Sequence, residues 1–236
     1  MALTSLPRRT LLVSTTLLLF LAGCGGGGGD SSSSQTGRAE FVINWPDSTR
    51  LIPAAAKSIK INLTGTATVE KTVARPAAGT NQTTVSFPDL VVGAYNVAAS
   101  AYPNADATGV AQATGTSTVT IVKAQTATGA LTMNSTVSKV SLTPATASIA
   151  IGGTQGVTGS AEDAAKAIVL TEPTKWTWTT SDATLATVSA SGNPATVTGV
   201  KAGTVTITGT ESESGKKATA TITVNPDKGN LDLTIK

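Results

Sequence analysis

One thiol and no imidazole bound what chemistry this 236-residue chain performs. The thiol is Cys24, at the end of Leu21-Ala22-Gly23-Cys24, and it is the one side chain suited to become a strong nucleophile. Without histidine the chain lacks the commonest general base and the commonest transition-metal ligand. Serine and threonine abound, but no G-x-S-x-G elbow or Ser–Lys arrangement falls between a strand and a helix. Acids are sparse. The close pairs Glu162-Asp163 and Glu211/Glu213 fall in predicted loops, where solvated turn positions explain them better than glycoside hydrolysis by paired carboxylates. Gly25 to Gly29 lacks the preceding strand and the following Lys-Ser/Thr of a phosphate loop. The stretches Pro103 to Gly109 and Asn225 to Asn230 each offer one carboxylate, too few for calcium, and read as Asx turns. The expectation is a non-enzyme with no catalytic residue, cofactor or metal.

What surrounds Cys24 gives it a role. Arg8 and Arg9 form a basic start, and Leu11 to Ala22 form a short apolar run broken by Ser14, Thr15 and Thr16. That run falls short of the roughly 18–20 apolar residues that cross a bilayer. Ala22 and Gly23 are small enough for the bond before Cys24 to enter a peptidase cleft. Together Leu21, Ala22, Gly23 and Cys24 resemble the lipobox of a bacterial lipoprotein signal peptide. The resemblance implies cleavage before Cys24 by lipoprotein-processing enzymes and covalent diacylglyceryl and acyl groups on its sulfur and new amino terminus. Arg8-Arg9-Thr10-Leu11-Leu12 also has the outline of a twin-arginine export signal, with Pro7 where that motif has a hydroxyl residue, so the export route stays open. Gly25 after Cys24, in place of aspartate, departs from the proteobacterial signal for inner-membrane retention.

Charge changes with processing. The full chain carries 17 Lys+Arg and 14 Asp+Glu. Loss of residues 1–23 removes Arg8 and Arg9 and brings +3 to +1. A nearly neutral chain with few aromatics has no electrostatic footprint for nucleic acid. With no second cysteine it forms no internal disulfide, although export permits one. Residues 24–37, from the lipidated Cys24 through the Gly/Ser run, read as a flexible tether of roughly 20 Å end to end.

From residue 38 the pattern is all-β. Phe41, Ile43 and Trp45 share one face of a strand, as do Ile59, Ile61 and Leu63. Val97, Ala99 and Ala101 repeat the alternation, as do Val119 and Ile121. Ala218, Ala220, Ile222 and Val224 oppose Thr219, Thr221 and Thr223. Apolar inside and threonine outside suits sheets with one wet face. Only Ala54-Ala55-Ala56 and Ala161 to Ala167 read as helical turns. A polar break at Asn134 to Ser138, after a strand ending at Met133, divides the chain into two antiparallel Ig-like β-sandwiches at 38–134 and 138–224, with a tail at 225–236.

Residues 138–224 resemble the group 2 bacterial Ig-like domain. The likeness lies in Val140-Ser141-Leu142-Thr143-Pro144, in Ala147 to Gly153, and in Trp178-Thr179-Thr180-Ser181-Asp182 with Leu185-Ala186-Thr187-Val188. It continues through the glycine-punctuated hairpin Ala195 to Ile207 and the closing strand Ala218 to Val224. Domains of this kind are common in bacterial surface proteins and in intimin- and invasin-type adhesins. Trp178 is placed as the plug between the two sheets. Trp176, two residues away, packs beside it or sits at the rim. Gly199 and Gly203 bracket a turn and are expected to supply backbone angles that other residues disfavour.

In the first half, Phe87-Pro88-Asp89-Leu90-Val91-Val92-Gly93-Ala94-Tyr95-Asn96-Val97 is similar to a segment of carboxypeptidase-regulatory-like or prealbumin-like modules, in which the glycine turns into a strand and the tyrosine packs at the sheet edge. The combined expectation is a lipid-anchored, non-enzymatic cell-envelope protein, at the outer membrane or cell surface. It acts in adhesion or surface interaction toward a glycan, a matrix component or an envelope protein. The alternative is a structural spacer or accessory subunit of an envelope complex.

Overall fold

The computed structural model describes residues 35–45, 52–77 and 82–226. The lipobox Leu21 to Cys24, both arginines, most of the tether and the tail after Pro226 lie outside the described residues. Those described are almost entirely strands and turns, with one short 3-10 turn at Pro173–Lys175.

The first eight strands form two facing sheets. They are β1 (Thr36–Asn44), β2 (Ser58–Thr64), β3 (Thr68–Ala74), β4 (Gln82–Val91), β5 (Gly93–Tyr102), β6 (Ala113–Ile121), β7 (Thr126–Gly129) and β8 (Asn134–Ser135). One sheet runs β4-β1-β7 and the other β3-β2-β5-β6-β8. Pairing is antiparallel except for β1 with β7, which is parallel. Alternation decides the inward faces. Phe41, Ile43, Ile59, Ile61, Leu63, Val97, Ala99, Ala101, Val119 and Ile121 are buried in one cluster, joined by Trp45 and Phe87. Phe41 meets Phe87 edge-on, with ring centroids 5.9 Å apart and planes at 86°, the geometry aromatic quadrupoles favour.

The segment singled out around Gly93 turns β4 into β5. Gly93 has φ of +143°, which suits glycine. Tyr95 is more deeply placed than a sheet-edge position implies, because its ring is buried and only its hydroxyl needs a partner. That hydroxyl donates to the Val91 carbonyl at 3.1 Å and lies 2.7 Å from the Thr66 hydroxyl.

The remaining strands build the second sandwich. They are β9 (Lys139–Thr143), β10 (Thr146–Ala150), β11 (Thr154–Glu162), β12 (Ile168–Val169), β13 (Trp176–Thr180), β14 (Ala186–Val188), β15 (Ala195–Gly199), β16 (Gly203–Glu211) and β17 (Lys216–Asn225). One sheet runs β10-β17-β16-β13; the other runs β12-β11-β15-β14, with β9 also on β11. The chain changes sheets between β9, antiparallel to β11, and β10, parallel to β17. Val140, Leu142, Val157, Val197, Val205, Ile207, Ile222 and Val224 fill a core separate from the first. Threonines 204, 206, 219 and 221 stand on the exposed face of β16 and β17.

Four local expectations change, the first being the end of the tether expected at residue 37: Thr36 and Gly37 already belong to β1, paired with Val91 and Leu90. Ala161 and Glu162 belong to β11, and Asp163 to Ala167 form a tight turn rather than a helical one. Asp163 Oδ1 accepts the Ala165 and Ala167 amides there, each at 2.9 Å, satisfying the backbone without a helix. The strand expected to end at Met133 ends at Gly129, and Asn134-Ser135 pairs with β6 instead of leaving the sheet. Gly203 has φ of +155°, as its turn requires, but Gly199 is needed for space. A Cβ on Gly199 would stand 2.7 Å from the Ala150 carbonyl oxygen and 2.9 Å from Val224 Cγ1.

Candidate functional site

Both tryptophans flagged by the sequence belong to the core. Trp176 is 0% exposed and Trp178 is 4% exposed, so Trp176 packs deep and has no face left for a ligand. The Trp176 indole N–H donates to the Thr171 hydroxyl at 3.0 Å, and that of Trp178 to the Gly192 carbonyl at 2.6 Å. The calcium stretch at Pro103 to Gly109 closes on itself: Asp106 Oδ1 accepts both the Thr108 hydroxyl and its amide, at 2.6 and 3.2 Å. Those bonds, the hydroxyl first, hold the Asp106 carboxyl below the usual range. Among the described residues no group of three or more His, Cys, Asp or Glu is placed to hold a metal.

The acids Glu211 and Glu213 are where sequence reasoning went wrong. Glu211 is the last residue of β16 and is 1% exposed; Glu213 is 9% exposed. Neither is a solvated loop acid. Val205, Ile207 and Gly209 already point inward, so period 2 carries Glu211 to the same face. Its carboxylate then has to be paired, and it accepts the Glu213 amide at 3.0 Å and the Ser214 amide at 2.7 Å, closing the turn into β17.

Glu213 looks across at the other sandwich. Its Oε1 accepts the Ala54 amide at 2.7 Å. Gln112, 1% exposed, spans the same boundary, donating from Nε2 to the Leu170 carbonyl at 2.5 Å. Val110 of the first half packs on the second core. The covalent link is short and bonded on both sides. Thr136 gives its amide to the Gln112 carbonyl at 3.0 Å, and Ser138 gives its amide to the Glu162 carbonyl at 2.8 Å. Only Val137 stands between, buried in the second core. A cavity of about 10 Å³ remains at the junction, lined in part by Pro53, Gln112, Glu211 and Glu213. Burial raises the Glu213 carboxyl above its ordinary value; the Ala54 amide opposes this, the Glu211 charge adds to it, and Lys175 and Arg75 oppose it.

The opposite end of the second sandwich carries two exposed aliphatic residues on adjoining turns. Ile151 is 41% and Val200 47% exposed. The turns are tied by Gly152 donating to the Gly199 carbonyl at 2.8 Å and Gly199 donating to the Gly153 carbonyl at 3.0 Å. Val200 takes its place through its own amide, which donates to the Leu185 carbonyl at 2.8 Å.

Residues 136–222, the second sandwich, match the bacterial Ig-like domain (group 2). Solved structures similar to the chain include domains 4 and 5 of the surface layer protein SbsC, at 21% identity over 58% of this chain and 60% of that one, with a TM-score of 0.32. Domains 1–6 of the same protein show 18% identity over 59% of this chain, with a TM-score of 0.34. A C-terminal 282-residue fragment of intimin, solved in complex with the intimin-binding domain of the translocated intimin receptor, shows 17% identity over 73% of this chain and 53% of that one, with a TM-score of 0.30. The chain spans 17% of the length of SbsC domains 1–6 and 19% of domains 4–9. No curated protein matches it.

Proposed function

We propose that this chain is a non-enzymatic, lipid-anchored protein of the cell envelope that presents its group 2 Ig-like sandwich for adhesion or surface interaction. The observation that carries the reading is where the chain enters and leaves. Thr36 pairs with Val91, beside the Gly93–Ile121 end of the first sandwich, while Ser58, Tyr102 and Ser135 mark the end at the junction. β17 begins at the junction and finishes at Asn225, beside Ala150 and the Ile151 and Val200 turns. The first described strand thus starts at one end of the pair of sandwiches and these turns lie at the other.

Lipidation is supported by the lipobox residues Leu21, Ala22, Gly23 and Cys24, with a basic and apolar run before them and a Gly/Ser run after. Its test is labelling with a radioactive fatty acid. Label on the native chain that is lost in Cys24→Ser agrees with the anchor, and an unlabelled native chain rejects it.

A spacer or accessory role is the second reading, favoured by the fate of the aromatic residues. Trp45, Trp176, Trp178, Phe41, Phe87 and Tyr95 are all buried, which leaves little for sugar stacking. Ile151→Ser combined with Val200→Ser separates the two. It abolishes attachment to cells or matrix if the tip is the binding surface, and leaves a spacer's work unchanged.

A further inference from the structure

We propose that Glu213 is a proton-responsive latch between the two sandwiches, so that acid draws them into one fixed orientation and higher pH lets them bend about Val137. This needs only the described junction and stands apart from how the chain is anchored or what its tip meets.

Three observations lead to it. First, the covalent connection is short, with Val137 alone between the last backbone bond of one half and the first of the other, so any bending is confined to its backbone dihedrals. Orientation therefore depends on contacts across the boundary. Second, the side-chain hydrogen bonds from Ala54 to Glu213 and from Gln112 to Leu170 cross it, and of these two the first involves a group that titrates. Third, Gln112 Oε1 is buried with no hydrogen-bond partner and lines the same small cavity as Glu213. An ionised carboxylate only accepts hydrogen bonds, whereas a protonated one also donates. Protonation of Glu213 supplies a donor to a cavity whose buried acceptor lacks one, and it removes the cost of holding a charge out of water.

The direction of the effect follows from linkage. In a bent junction Glu213 meets water and loses the burial that raises its carboxyl. In the docked junction burial favours the neutral acid, the nearby Glu211 carboxylate adds to that, and the Ala54 amide with Lys175 and Arg75 offsets part of it. Among the described residues the charged groups that act on Glu213 are Glu211 at the end of β16, Lys175 from the 3-10 turn before β13, and Arg75 after β3, and Lys216 of β17 lines a cleft with it. The docked form binds the proton more tightly, so its advantage is fully present below the ordinary carboxylate value. That advantage is lost as pH rises through the raised one.

The test is to measure residual dipolar couplings of the full chain across the carboxylate range, fitting each sandwich to its own alignment frame. In the native protein the two frames coincide at acid pH and diverge as pH rises. Glu213→Gln keeps an acceptor for Ala54 and gains a permanent amide donor, so its frames coincide at every pH. Glu213→Ala removes both, so its frames diverge at every pH with no titration. Frames that never separate in the native protein overturn the proposal. So does a pH-dependent separation that survives in either variant.

Discussion

The indoles of Trp176 and Trp178 stack, with centroids 5.8 Å apart and planes 23° from parallel, from successive inward positions of β13. Each ring is accommodated by a glycine. A Cβ on Gly159 would lie 2.3 Å from Trp176 Cζ3, and one on Gly209 would lie 2.6 Å from Trp178 Cζ3. In strands such glycines mark close approach. The second core is a pair of large plates seated over two backbones that carry no side chain.

The glycines are therefore as necessary as the rings. Gly159→Ala should destabilise the second sandwich by about 1–3 kcal/mol through overpacking, and Trp178→Ala by about 3–5 kcal/mol through a cavity and an unpaired Gly192 carbonyl. Chemical denaturation followed by tryptophan fluorescence reads both. A Gly159→Ala midpoint equal to that of the native protein contradicts the packing described.

Glu211 acts as a capping group for the β16–β17 turn. Glu211→Ala leaves the Glu213 and Ser214 amides without their acceptors, at a cost of about 1–3 kcal/mol. Hydrogen exchange at Glu213 and Ser214 should accelerate well before exchange in the middle of β16. Equal protection of both amides in variant and native protein argues against the cap.

Tyr95→Phe keeps the buried ring but leaves the Val91 carbonyl without its phenolic donor. The expected loss is about 1 kcal/mol, read as a lower unfolding midpoint, with the spectrum of the second sandwich unchanged.

Asp182 closes the turn after β13. The Thr184 hydroxyl and amide donate to its Oδ1 at 2.7 and 2.8 Å, and these bonds, hydroxyl first, hold its carboxyl below the ordinary value of 3.8, with a smaller contribution from Lys201. Whatever this group contributes to stability is present above the ordinary aspartate value and disappears as pH falls through the lowered one. Carboxyl carbon NMR should show Asp182 titrating below a free aspartate, and Thr184→Ala should move it upward.

Much of this fold is written in period 2. Ile59, Ile61 and Leu63, or Ala220, Ile222 and Val224, need no more than alternation to be placed inside, and Trp178 needs only its size. Gly199 was misread because a glycine flanking a turn signals backbone angle, whereas here the limit is the approach of Ala150 and Val224 from β10 and β17, distant in sequence. Ala161 to Ala167 was misread because alanine favours helix, while Asp163 closes a tight turn and β11 claims Ala161 for the core. The junction was the least legible part. The inward parity of Val205, Ile207 and Gly209 was enough to place Glu211 inside. Nothing local placed Ala54 or Gln112 beside Glu213, since those contacts arise only where the two cores adjoin.

The most direct measurement on the central claim is protease shaving of intact cells that express the native chain beside a Cys24→Ser version. The account predicts that protease removes the native chain from whole cells, while the variant is released or remains unprocessed. A native chain that resists protease until the outer layer is breached, or that leaves the cell as readily as Cys24→Ser, contradicts it.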